Sequence, residues 1–253
     1  LLKRILKARR EQWNGRGKFK EPFAPDTSNL PELPDGWVWC TLDHIISDGP
    51  QNGVYYPKNL YGKGIKILRI DDYQVGWIKS YDQLQKVDSP AKDRNLYRLK
   101  LGDIVVNRVN SVSHLGKSLC IGKSHEGCIF ESNMMRFSLS NTVNNKFYEL
   151  YLGSAIGRAR LISNCKHAVN QASINQQDVK QTVAPLPSLL EQDEIVNKIN
   201  DAFSQIDALE QWCASELTRS ATLRQSILKD AFSGKLVPQD PDDEPASELL
   251  KRI

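Results

Sequence analysis

The sequence predicts an α+β protein. A globular mixed α/β domain comes first, then one long coiled-coil-forming helix, with short helices at both chain ends. Three observations carry this. Short β-rich runs punctuated by Gly, Asn and Asp recur from Trp37 to Leu139. Beyond Pro187, apolar residues recur at alternating steps of four and three. The pentapeptide Leu1-Leu-Lys-Arg-Ile5 returns as Leu249-Leu-Lys-Arg-Ile253.

Residues 1–12 read as a helix, with Leu1, Leu2, Ile5 and Leu6 on one face and basic residues on the others. Asn14-Gly15 and Gly17 break it. Pro22, Pro25, Pro31 and Pro34 mark an extended linker. The β runs are Trp37–Leu42, Ile65–Ile70, Trp77–Tyr81, Asp103–Val109, Ser118–Ile121, Cys128–Phe130 and Met134–Leu139. Lys146–Ile162 carries helical spacing at Phe147, Leu150, Tyr151, Ala155 and Ile156. Ser188-Leu-Leu-Glu191 fits a capping box, because the Ser hydroxyl and the Glu carboxylate can satisfy each other's backbone N–H. The helix it opens has a seam at Ile195, Ile199, Ala202, Ile206, Leu209 and Cys213, and Gly234 is its expected stop. Such a seam calls for a partner helix; packing along its own domain is the alternative. The expected parts are 1–30 (helix end and linker), 31–187 (globular domain), 188–234 (long helix) and 235–253 (tail and next short helix).

Composition bounds the function. The 253 residues are 40% hydrophobic and 25% charged, which supports a packed core and excludes wholesale disorder. No apolar run approaches the ~18 residues of a membrane span, so no membrane role is expected. The start shows no signal-peptide pattern and no initiator Met, so a piece cut from a longer chain is expected. Five cysteines without a Cys-x-x-Cys point to the cytoplasm. Net charge is only +4, but residues 1–20 hold eight Lys or Arg against Glu11 alone. A solvated face or a polyanion contact explains that equally well.

Catalytic signatures are missing. No dinucleotide fingerprint, phosphate loop or nucleophile elbow occurs, nor the Asn/Asp-Pro-Pro-aromatic motif of amino-methyltransferases. His114, Cys120, His125 and Cys128 lie close in sequence but match no zinc spacing, and buried thiols explain them better; no metal is expected. Cys165-Lys-His167 resembles a nucleophile pair without a third orienting group.

The positive signal is polar and aromatic residues gathered in turns. Tyr55 and Lys58 lie in one and Arg69 in a second. Asn107, Arg108, Asn110, Ser111, His114 and Lys117 lie in a third, and Lys166, His167, Asn170 and Gln171 in a fourth. Arg can read guanine, Asn or Gln can read adenine, and Ser and Lys hold phosphates. Each turn taken alone is ordinary solvated surface.

Several stretches together resemble the specificity subunit of type I restriction–modification systems. Leu33-Pro-Asp-Gly-Trp37 is similar to the entry of its target recognition domain. Ile67-Leu-Arg-Ile70 with Gly76-Trp-Ile78, and Leu101-Gly-Asp-Ile-Val105 with Asn107-Arg108, resemble core strands and a loop. Ala184-Pro-Leu-Pro-Ser-Leu-Leu-Glu-Gln192 before Ile195-Val196 is the most specific match, with Ser188 replacing the usual second Pro. Ser226–Leu236 and Ala246–Ile253 resemble the end of the conserved helix and the short helix beyond it.

The resemblance implies a non-catalytic reader of one half of a split site in double-stranded DNA. Modification (methyltransferase) subunits would carry S-adenosylmethionine, leaving no cofactor in this chain, and a restriction subunit would join through the complex. It also implies a homodimer or a pairing with a second half-subunit. A helical protein-interaction adaptor without DNA specificity is the alternative, and it predicts no salt-dependent DNA affinity.

Overall fold

The computed structural model describes residues 1–11, 18–74, 76–168 and 171–253. The expected break at Asn14-Gly15 and Gly17 lies outside the described residues. In chain order the elements are α1 (Leu2–Glu11), β1 (Val38–Thr41), α2 (Leu42–Ile45), β2 (Ile46–Asn52), β3 (Tyr61–Leu68), β4 (Tyr73–Gln74), β5 (Trp77–Ile78) and β6 (Lys86–Val87). Next come α3 (Ala91–Leu96), β7 (Ile104–Asn107), β8 (Val109–Asn110), β9 (Ser118–Cys120), β10 (Ile129–Phe130) and β11 (Met134–Leu139). The chain continues through α4 (Asn145–Gly153), α5 (Ala155–Leu161), β12 (Lys166–Ala168), β13 (Gln171–Ser173), α6 (Gln176–Gln181), β14 (Val183–Leu186), α7 (Leu189–Phe232) and α8 (Ala246–Leu250).

The chain divides into two compact units, Leu1–Asn197 and Lys198–Ile253. The first is built on small sheets. An antiparallel sheet runs in the order β2-β11-β7-β9. A second, β10-β3-β6, pairs β3 parallel to β10 and antiparallel to β6. A third, β12-β13-β8, brings a late hairpin beside residues 109–110. β1 pairs with β14, Val38 opposite Leu186, so the chain enters and leaves the domain on adjacent strands.

β7 shows why the layers hold. Ile104 and Val106 face one core cluster and Val105 faces another, as the two-residue period of a strand requires. All three are fully buried. β2 is the strand that composition conceals. Its sequence, Ile-Ser-Asp-Gly-Pro-Gln-Asn, is rich in turn formers. Pairing along β11 and the ion pair of Arg136 with Asp48 at 2.6 Å hold it extended.

Three expectations need correction. The helix expected over Lys146–Ile162 is two helices. Ser154 ends α4 and caps α5, its Oγ accepting from the Gly157 N–H at 3.1 Å. Gly157 is required there: a Cβ would stand 1.9 Å from the Tyr151 carbonyl oxygen. The expected run Trp77–Tyr81 stops at Ile78 and turns into a 3-10 helix from Tyr81 to Gln83. The N-terminal helix is not a separate part, because Ile5 is 1% exposed within the main core and Leu1 and Leu2 pack against it.

The opening of α7 follows the sequence closely. The Ser188 N–H donates to Glu191 Oε2 at 3.0 Å, and the Glu191 N–H donates to Ser188 Oγ at 3.3 Å. Its first turns belong to the first unit: Gln192 and Val196 are buried, and Gln192 Oε1 accepts from the Asn144 N–H at 2.8 Å. The division between units therefore falls after Asn197, ten residues beyond the expected boundary at 187. In the second unit α7 ends in a Schellman turn. Gly234 has φ +72°, its N–H reaches the Ala231 carbonyl, and the Lys235 N–H reaches that of Asp230. Among the described residues no helix is long and apolar enough to cross a membrane.

Candidate nucleic-acid interface

The site is assembled from the turns of the first unit. A cavity of about 1010 Å³ opens between the segments that hold Tyr55–Lys58, β3, β6 and Glu131–Asn133. Tyr55 is 75% exposed on its rim, and Lys58 and Lys86 are exposed without an ion pair among the described residues. Arg69 sits on the wall. Its Nε donates to Glu131 Oε2 at 3.3 Å, its Nη1 to Gln85 Oε1 at 3.2 Å, and its guanidinium lies 5.9 Å from the centre of the Tyr61 ring. Burial works against the Arg69 charge, but Glu131, through its charge and hydrogen bond, together with Tyr61 and Asp71 outweighs it, so the guanidinium is held above its ordinary value. Gly53 lets the chain pass close beneath this wall, since a Cβ there would meet the Glu131 carbonyl oxygen at 2.1 Å.

Contacts continue from Glu131 to the other polar turns. The Ser132 carbonyl accepts from Arg108 Nη1 at 3.0 Å, and the Asn133 carbonyl accepts from the Arg108 N–H at 2.8 Å. β8 then pairs with β13, placing Asn110 opposite Ala172; β13 carries the exposed Gln171, and β12, paired with it, carries the exposed Lys166 and His167. The intervening loop is pinned by Arg158, which donates to the carbonyls of Leu115 at 2.9 Å, Val112 at 3.0 Å and Ser113 at 2.6 Å. Basic, amide and aromatic groups thus line one connected set of turns.

Residues 51–219 match the type I restriction modification DNA specificity domain. The chain belongs to this family. The StySPI specificity subunit of Salmonella potsdam is 32% identical over 230 residues, covering 86% of this chain and 49% of its own length. The EcoDI specificity subunit of Escherichia coli is 35% identical over 243 residues, covering 88% of this chain and 49% of itself. The chain therefore spans about half the length of the curated relatives it matches. The HsdS subunit from Thermoanaerobacter tengcongensis superposes with a TM-score of 0.62 at 19% identity, over 87% of this chain and 54% of that one, which establishes a shared fold.

Within this specificity domain the predicted residues fall into distinct places. Tyr55, Lys58, His114, Lys166, His167 and Gln171 are exposed. Asn110 and Ser111 are half-buried, with the Ser111 N–H donating to Asn110 Oδ1 at 2.8 Å and His114 Nδ1 lying 3.0 Å from Ser111 Oγ. Arg108 is half-buried, and its Nε has no partner among the described residues. Asn170 lies outside the described residues.

Asn107 and Lys117 are corrections. Asn107 is fully buried and accepts from the Tyr73 hydroxyl at 2.6 Å. Lys117 is buried, donates to the Ile70 carbonyl at 2.8 Å and lies 4.7 Å from the centre of the Tyr73 ring. Burial lowers its pKa despite Asp71 and Asp72. These two side chains close the loop from within instead of lining its outer face.

Of the other candidates, Cys128 and His125 are buried, Cys120 and Cys165 are half-buried, and His167 is exposed. Burial pushes the thiols of Cys120 and Cys128 up to about 11 and about 12. His125 Nε2 lies 2.8 Å from the Lys79 carbonyl oxygen. Cys165 Sγ and His167 Nε2 are 3.5 Å apart on the hairpin. Sequence reasoning missed Tyr61, Gln85, Lys86, Glu131 and Arg158. Gln85 lies 16 residues from Arg69 and Glu131 lies 62 away, so only strand pairing brings them together.

Of the seam residues, Ile195 packs against the core of the first unit and Ile199 is half-buried. Ala202, Ile206, Leu209 and Cys213 are exposed. Trp212, Leu217, Leu223 and Phe232 add to that exposed apolar surface.

Proposed function

We propose that this chain reads one half of a split target in double-stranded DNA and scaffolds the methyltransferase subunits of a type I restriction–modification system, without catalysis of its own. The observation that carries the reading is the family match over 51–219. That span holds the cavity, the connected polar turns and α7 as far as Arg219. Exposed Lys side chains suit phosphate contacts, and amide and guanidinium groups suit base edges. The modification subunits would supply S-adenosylmethionine and the methyl-transfer chemistry, a restriction subunit would join through them, and the assembly would work in the cytoplasm.

The chain spans about half of its relatives, and α7 leaves an apolar seam uncovered. A second copy, or a second half-subunit, fits that need, with a homodimer as the specific proposal.

The test is methylation mapping. The chain is expressed with modification subunits of its own system and the host DNA is sequenced for methylated bases. A split motif assigned to this chain is the expected result. An assembled complex that methylates nothing, or methylates without sequence preference, overturns the proposal.

A further inference from the structure

We infer that Arg69 is a specificity determinant that recognises guanine, with Glu131 and Gln85 as its positioning residues. The inference rests on the DNA-reading function proposed above and names one contact within it. A surface arginine normally samples many rotamers, which suits a phosphate it can follow. Arg69 is held by Glu131 at Nε and Gln85 at Nη1, with the centre of the Tyr61 ring 5.9 Å from the guanidinium carbon. Its backbone is fixed as well, the Arg69 N–H donating to Asp72 Oδ2 at 3.0 Å. Glu131 is anchored in turn, its Oε1 accepting from the Ile70 N–H at 2.6 Å.

The held guanidinium still has work to offer. Two of its five N–H donors are committed, which leaves three on the terminal nitrogens. Guanine presents O6 and N7 as two acceptors on one major-groove edge, the pair that a fixed guanidinium matches. Adenine offers a donor in place of O6, so the same fork meets a like group. Charge points the same way. Glu131 balances the Arg69 charge, which weakens its pull on any phosphate, while the exposed Lys58 and Lys86 on the rim keep theirs. The pair is therefore built for direction more than for general attraction.

The experiment selects random double-stranded DNA on the purified full chain at fixed salt, then repeats the selection with Arg69→Ala, Arg69→Lys and Gln85→Ala. The wild-type motif should contain a guanine that both Arg69 variants stop preferring, with discrimination at that position falling by about tenfold or more. The other positions should stay fixed. Gln85→Ala should relax the same position by a few-fold; Gln85 is exposed, so this variant carries the test if Arg69→Ala fails to fold. A guanine preference that survives in Arg69→Lys, or equal weakening on all sequences, makes Arg69 a phosphate contact and overturns the inference. A motif unchanged in all three variants makes the trio purely structural. A wild-type chain that enriches no motif overturns DNA reading itself.

Discussion

Asn107 separates residue chemistry from residue placement. Its type and its loop suggested a base contact, yet it accepts the Tyr73 hydroxyl proton in the interior and its Nδ2 reaches the His114 carbonyl at 3.4 Å. Removing it deprives a buried hydroxyl of its shorter bond and opens the loop. Asn107→Ala should cost about 1–3 kcal/mol of stability, seen as a lowered melting temperature. His44 gives a residue-scale pH effect. Burial lowers its pKa below the ordinary 6.5, and its Nδ1 accepts from the Thr41 N–H at 3.3 Å. The unfolded chain then binds a proton that the native state refuses. Stability should be complete above 6.5 and fall as pH drops from there through the native value. Chemical denaturation across this range should show that slope, and His44→Gln should flatten it.

At the scale of elements, α7 is where pattern and structure agree most closely. Its capping box, its seam and its glycine stop are local signals, each within a few residues of the backbone it controls. At 44 residues it runs roughly 66 Å, and from Ala202 onward its apolar side chains are exposed. Ile206 is 49% exposed and Leu209 61%. A twofold copy of the seam would bury both. The pair Ile206→Lys and Leu209→Lys should therefore shift the sedimentation of the chain from dimer to monomer while leaving the first unit's melting unchanged. A wild-type chain that sediments as a monomer at tens of micromolar would remove the homodimer. The short elements behave in the opposite way. β2 forms against its composition because it pairs along β11, through two register shifts, and the 146–162 helix splits because Ser154 competes for the backbone N–H groups of the next turn.

For the whole molecule, the two units match a division of labour. The first holds a connected polar surface on a packed core; the second is helix with an apolar seam. A homodimer would present two copies of one reading surface, so the methylated motif should be a palindrome of two identical half-sites. A split motif with unequal halves would instead mean that a different half-subunit supplies the second reader.

The sequence by itself determined the family, the α+β class and the long helix with both its ends. These are local or compositional properties: capping, period and turn chemistry act over a few residues, and the motif Ala184–Gln192 is contiguous. Only the tertiary structure decided which turn residues face outward. Asn107 and Lys117 went inside because their polar ends found Tyr73 and the Ile70 carbonyl there. Glu131 and Gln85 reached Arg69 through pairings that no local spacing encodes. A side chain's type sets what it can bind, but its exposure depends on contacts made across the whole chain, and a sequence pattern carries little of that information.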